Sequence, residues 1–222
     1  PLYDIVKGIA EKMGWGEHFP YEKWEDWAEL VMKDMPMSVD ELKEKGFWAG
    51  DVEYGRPAKG LDTPSGKIEI YSQNFADNGY DPYPVYTDRS VMPDDDYPLQ
   101  LTHSKLSMHC NIVTQNNPYL MEIVGENWVE VQRADAQRYG ILDGQMVVGE
   151  SPKDSITIKA KVIDGIVPGA VSVRHGHGFG HWAMGEVAKG KGAHSNVLMD
   201  RHTGPISGAN CYNECKVRIR PA

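Results

Sequence analysis

Three groups of side chains in this sequence have the types and spacing to do chemistry. The first runs from Thr102 to Cys110. It sets hydroxyls at Thr102, Ser104 and Ser107, an ammonium at Lys105, and imidazoles at His103 and His109 along one short stretch. Hydroxyls and imidazoles both donate and accept, so such a stretch suits a polar ligand; read by itself it is a polar loop. The second group lies in the segment PGAVSVRHGHGFGH, residues 168–181. His175 and His177 are two apart, so on a strand both rings would face one side and could share a metal, with His181 as a third imidazole ligand. The opposing reading gives the work to Gly176, Gly178 and Gly180, which would let the backbone pass close to a large bound molecule while the histidines hydrogen-bond it. The third group is Asn196 and Asn213. An Asn amide offers two donors and an acceptor, which suits the edge of a flat heterocycle, and equally suits capping a turn through its own backbone.

These residues need elements to position them. The first third of the chain is helical. Leu2, Ile5, Val6, Ile9, Ala10 and Met13 follow a helical period that stops at Gly14, and Trp24, Trp27, Ala28, Val31, Met32 and Met35 repeat it. The second stripe reads as core. A third short helix is expected from Ser38, where Ser38 and Glu41 have capping-box spacing, to about Gly46. From Phe47 to Asp96 the chain is rich in Gly, Pro, Asp and Tyr and reads as a connector with one turn at Pro64-Ser65-Gly66, one alternating strand from Lys67 to Tyr71, and a solvated acidic loop at Asp94 to Asp96.

Beyond a domain boundary placed near Tyr97, short strands alternate with tight turns. The candidates are Pro98 to Leu101, Trp128 to Val131, Met146 to Glu150, Ile156 to Val162, Ala170 to Val173 and Cys215 to Ile219, with a helix at Ala134 to Tyr139 closed by Gly140. Turns at Asp143-Gly144 and Pro168-Gly169 and some six short strands suggest a closed, mainly β barrel. Residues 1–96 are thus a helical segment and connector, and residues 97–222 a barrel domain.

Composition narrows the function classes. A hydrophobic share of 41% over 222 residues builds one or two modest domains. A net charge of -9 argues against a general nucleic-acid surface, which needs a basic stripe. No apolar run approaches the ~20 residues of a membrane-spanning helix, so no direct membrane insertion is expected, and the first residues lack the zones of a signal peptide. Cys110, Cys211 and Cys215 are too few for the four thiolates of an iron–sulfur cluster and do not form a disulfide scaffold.

Four segments in order carry a resemblance: QLTHSKLSMHC, NNPYLMEIVGENWVEVQRADAQRYGILDGQMVV, IVPGAVSVRHGHGFGHW and SNVLMDRHTGPISGANCYNECKVRI. Together they resemble the C-terminal dinucleotide-binding domain of the molybdenum and tungsten oxidoreductases of the dimethyl-sulfoxide-reductase type, which carry a bis-molybdopterin guanine dinucleotide. The stretch from Thr63 to Ser72 resembles the usual lead-in to that domain. The resemblance implies a double-psi β-barrel that binds the pterin dinucleotide through Thr102, His103, Ser104, Lys105, Met108, His109, Cys110, Asn196 and Asn213. His103 stands where similar loops have Gly, the loop is one residue shorter, Cys110 replaces a common hydroxyl, and Asn213 replaces a frequent Lys.

The same resemblance makes the chain the C-terminal part of a larger catalytic polypeptide, inactive alone, whose iron–sulfur cluster and metal ligand lie upstream. It implies two-electron, oxygen-atom-transfer chemistry on a small-molecule substrate, with an electron-transfer iron–sulfur subunit as partner and a periplasmic, or else cytoplasmic, parent. The pair His181-Trp182 looks like the branch acting on sulfur or arsenic oxyanions, which makes His181 the candidate catalytic proton donor. Two alternatives stand beside this. One is a cupin-like metalloenzyme, since Gly169, five residues, then His175-x-His177 looks like the first half of a cupin motif, with His181 as third ligand and no downstream second half. The other is a non-catalytic barrel that binds a partner.

Overall fold

A computed structural model describes residues 1–52, 54–178 and 185–222. It divides into two compact units, Pro1–Pro84 and Val85–Ala222. The second unit starts ahead of Tyr97 because the chain leading to the barrel is bonded to it: Asp94 pairs with Lys216, and the Ser90 hydroxyl donates to Glu214.

The first unit is built from helices α1 (Leu2–Lys12), α2 (Trp24–Met32), α3 (Val39–Lys45) and α4 (Gln73–Asp77). The start of α3 is set by reciprocal capping, in which the Glu41 N–H donates to Ser38 Oγ at 3.2 Å and the Ser38 N–H donates to the Glu41 carboxylate at 2.8 Å. Its end is set by Gly46, whose φ of 79° is left-handed. Tyr3 stacks on Trp27 with ring centroids 6.1 Å apart, but of the stripe read as core only Ala28 is buried, while Trp27, Val31 and Met35 are exposed. The expected strand from Lys67 to Tyr71 does not form: Ile68 and Ile70 are exposed, and no neighbouring strand among the described residues pairs with them. Alternation alone cannot hold a strand without a ladder partner.

The second unit is a closed barrel of β1 (Leu99–Ser104), β2 (Trp128–Gln132), β3 (Met146–Glu150), β4 (Ser155–Ile163), β5 (Ala170–Arg174) and β6 (Cys215–Pro221), in the order β1-β5-β2-β4-β3-β6. Helices α5 (Pro118–Ile123) and α6 (Arg133–Arg138) lie in its connections. The pairs β1·β5 and β2·β4 are parallel and the others antiparallel. Along β4, Ile156, Ile158 and Ala160 point inward and Thr157, Lys159 and Lys161 outward, the two-residue period of a barrel wall. Inward residues from all six strands, among them Leu99, Leu101, Val131, Val147, Ile158, Val171 and Val217, form one core. Each such side chain stabilises the fold by roughly 1.5–3 kcal/mol, and closure leaves no sheet edge open. Among the described residues no helix is long and apolar enough to cross a membrane.

Candidate functional site

Strand register decides which loops meet. Ser104 at the end of β1 is level with Arg174 at the end of the parallel β5, and Leu101 is paired with Cys215 at the start of the antiparallel β6. The loop after β1, the loop after β5 and the segment before β6 therefore emerge at the same end of the barrel. Val129 near the start of β2 pairs with Val173, so Asn127 enters at this end as well.

At this end a cleft of about 540 Å³ is lined by His103, His175, Asn196, Arg201, Tyr212 and Lys153, with Thr203 and Asn210 beside them. His103 is its hinge point. Its Nε2 lies 3.0 Å from Ser195 Oγ and its Nδ1 lies 3.4 Å from the Asn213 side-chain oxygen. Burial lowers the His103 pKa, a hydrogen bond with Asn213 partly opposes this, and His175 adds to the lowering, so the ring is neutral at pH 7. Asn213 is held in place from below. The buried Gln100 side chain donates to its carbonyl at 2.6 Å and to the Cys215 carbonyl at 3.0 Å. Lys153 Nζ donates to the Met199 carbonyl at 2.6 Å and so is fixed on the opposite wall.

A second set of groups lies beside the cleft but is closed off. His109 is buried, with Nδ1 3.3 Å from Thr114 Oγ1 and Nε2 3.0 Å from the Val124 carbonyl. His177 is 2% exposed and meets the His109 ring edge-on at 5.4 Å. Burial first, and the His109 charge second, lower the His177 pKa to about 4, which keeps this ring neutral. Asn127 locks the segment around them: its Nδ2 donates to the carbonyls of Arg174 at 2.7 Å and Ala193 at 2.9 Å, and its Oδ1 accepts from the Ala193 N–H at 2.8 Å.

The sequence candidates thus separate. His103, Asn196 and Asn213 come together at or beside the cleft. Thr102 and Ser104 are engaged within the wall, Thr102 Oγ1 donating to the Val171 carbonyl at 3.2 Å and Ser104 Oγ lying 2.8 Å from Ser172 Oγ. Lys105, the ammonium of the first group, does not line the cleft; its carbonyl accepts from Arg174 at 3.0 Å, and Arg174 in turn pairs with the buried Glu130. Met108 accepts from the Ser107 hydroxyl at 3.2 Å, and Cys110 is an exposed free thiol.

The cations that do face the cleft, Lys153 and Arg201, carried no sequence signal. Lys153 sits in the β3–β4 turn and Arg201 in a loop, and only closure of the barrel brings them together. His181 lies outside the described residues. The shared-metal reading of His175 and His177 fails at its premise: β5 ends at Arg174, Gly176 turns the chain with φ 104°, and the two rings part, one to the cleft and one inward.

Gly176 and Gly178 also differ from expectation, and Gly180 lies outside the described residues. A Cβ on Gly176 would stand 2.9 Å from the Asn111 carbonyl oxygen, and one on Gly178 would stand 2.0 Å from the His194 nitrogen. The close approach they permit is between segments of this chain.

Comparison with known proteins gives the family of the barrel. The family described as molydopterin dinucleotide binding domain matches residues 99–216. The chain is 27% identical over 245 residues to dimethyl sulfoxide reductase DmsA of Escherichia coli, with 94% of this chain and 29% of that protein covered. It is likewise 27% identical over 237 residues to the thiosulfate reductase molybdopterin-containing subunit PhsA of Salmonella typhimurium, with 94% and 31% covered. The chain therefore spans less than a third of the length of these relatives. Among solved structures, acetylene hydratase from Pelobacter acetylenicus superposes with a TM-score of 0.64 at 19% identity, over 99% of this chain and 32% of that one, which is a likeness of fold.

Proposed function

The chain belongs to the molydopterin dinucleotide-binding family, and from that premise we propose that the cleft at the His103 end of the barrel receives the guanine dinucleotide arm of a pterin cofactor. The observation that carries this reading is the donor set of the cleft. The neutral imidazole of His103, the His175 ring, the Asn196 amide and the Tyr212 ring suit a flat base with alternating donors and acceptors, and Lys153 and Arg201 suit a pyrophosphate. The cleft volume falls within the usual range of small-molecule sites. These residues fit the group. Asn213, set by Gln100, orients His103, and the Gly176–Gly178 turn keeps the walls of the cleft in register.

When bound, a molybdenum or tungsten ion held by two pterins supplies two-electron chemistry of the oxygen-atom-transfer type. The contribution of this chain is to bind, orient and exclude water, the usual protein share of cofactor chemistry. We further propose that the barrel is of the double-psi type, because each parallel pair, β1·β5 and β2·β4, joins strands that are not consecutive and so needs a crossing connection. The proposed whole enzyme is a catalytic subunit with an electron-transfer iron–sulfur partner and a sulfur or arsenic oxyanion substrate; the thiosulfate in the name of PhsA supports a sulfur oxyanion, whereas the dimethyl sulfoxide in the name of DmsA is a neutral sulfur–oxygen compound. His181 is retained as the proposed proton donor to departing oxygen.

Titration of the chain with GDP, a fragment of the dinucleotide, tests the cleft by NMR. Saturable shifts at His103, Asn196 and Tyr212, weaker with ADP, support it. Shifts elsewhere, or equal response to ADP and GDP, overturn the guanine assignment.

A further inference from the structure

A different cluster lies on the hairpin before β6. His202, Cys211 and Glu214 each present one ligand atom, and these atoms all fall within 4.8 Å of one another. Their backbone sets them there. The bridge between Thr203 and Asn210 closes a hairpin, and the Cys211 N–H donates to the His202 carbonyl at 2.9 Å, so the first two ligands are cross-strand neighbours. The Glu214 N–H then donates to the Cys211 carbonyl at 2.9 Å, a turn that brings the third ligand back over the second. His202 Nε2 stands 3.2 Å from Glu214 Oε2. The Ser90 hydroxyl, from the segment leading into the barrel, bonds to both His202 and Glu214.

We propose that His202, Cys211 and Glu214 form a zinc site that staples this hairpin, with the Ser90 side completed by its hydroxyl or by water. Imidazole, thiolate and carboxylate together are a zinc donor set. Bond lengths of ~2.0–2.3 Å in a tetrahedron put donor atoms about 3.3–3.8 Å apart, so the observed spacing needs only small side-chain adjustment. All three ligands are partly exposed, and His202 and Glu214 line a cavity of about 360 Å³ that gives an ion access. Neighbouring Cys215 is a poor substitute ligand, because it is buried in the barrel core and its Sγ donates to the Leu198 carbonyl at 3.4 Å. Binding is a displacement: Zn²⁺ replaces the Cys211 thiol proton, which leaves to solvent, and no electron moves. The hairpin borders the His103 cleft through Thr203 and Asn210, so the ion would stiffen one wall, but the site stands independently of what the cleft binds.

Titration of the reduced full chain with Co²⁺ tests this. One equivalent should bind with tetrahedral visible bands and a sulfur-to-metal charge-transfer band, and Zn²⁺ should displace it. Cys211→Ser should abolish the charge-transfer band. His202→Ala should weaken binding by more than about 100-fold, beyond the roughly 10–100-fold loss expected for an outer partner, while His175→Ala leaves it unchanged. Absence of a stoichiometric Co²⁺ spectrum in the unmodified chain overturns the proposal, and so does a spectrum that survives Cys211→Ser or vanishes with His175→Ala. Circular dichroism of each variant separates lost ligation from lost fold, and if His202→Ala unfolds, Glu214→Gln replaces it.

Discussion

Two pairs of histidines leave the same end of this barrel and reach opposite environments. His103 and His175 border an open polar cleft, whereas His109 and His177 are shut in against each other a few residues further along the same two loops. What separates them is backbone geometry. Gly176 and Gly178 turn the loop after β5 inward with φ values of 104° and 86°, and Asn127 ties the turned loop to residues 174 and 193. One loop therefore reaches two environments: His175 borders the cleft, and His177, two residues on, is buried beside it.

The sharpest way to break this division is Gly178→Ala. The new methyl would overlap the backbone of residues 193 and 194, and the left-handed φ adds strain of its own. A loss of about 3 kcal/mol or more is expected in urea denaturation. Gly144→Ala, also at positive φ but in open space, should lose only ~1 kcal/mol. Equal losses would show that strain alone, and not close approach, makes these positions glycine. Asn127→Ala comes next. It leaves the Arg174 and Ala193 carbonyls and the Ala193 N–H without partners, at a cost of about 2–3 kcal/mol by the same measurement. A change below ~1 kcal/mol would mean that the turned loop does not depend on this lock.

This division was only partly legible in the sequence. The strands of the barrel, the helix caps at Ser38 and Gly46 and the turns at Gly144 and Gly169 follow from local pattern, because period and φ preference act over a few residues. The gathering of His103, Asn196 and Asn213 was readable only from the order of the segments. Lys153 and Arg201 were not readable, since their place depends on closure of the barrel between distant strands. His109 and His177 were misplaced for a related reason: an imidazole carries the same letter whether it faces a ligand or a core, and only the turn at Gly176 decides. The strand expected at Lys67 to Tyr71 failed because alternation specifies a face but not a partner.

The buried pair also sharpens the comparison through pH. With a folded-state pKa of about 4 against 6.5 unfolded, His177 binds a proton more readily in the unfolded chain. Its contribution is therefore fully present above pH 6.5 and is lost as pH falls from 6.5 toward 4, by at most about 3 kcal/mol. His177→Phe keeps the ring and removes the proton, so the variant should lose less stability than the parent chain over that window. Parallel pH profiles for the two would place the acid sensitivity elsewhere.

The smallest effect is expected on the open side. His103→Ala removes a ring that bonds to Ser195 and Asn213 at the mouth of a cleft where water can take its place, so its stability cost should stay near 1 kcal/mol, well under that of Asn127→Ala. Its effect on GDP should be larger in proportion, about tenfold weaker binding, because the ring is neutral and pre-positioned and its loss also frees the Asn213 side chain. His109→Ala should show the reverse balance, with a larger stability loss and little change in GDP affinity that is not explained by unfolding. If instead both variants weaken GDP equally while remaining folded, the two pairs form one site, and the separation of open cleft from buried pair does not hold.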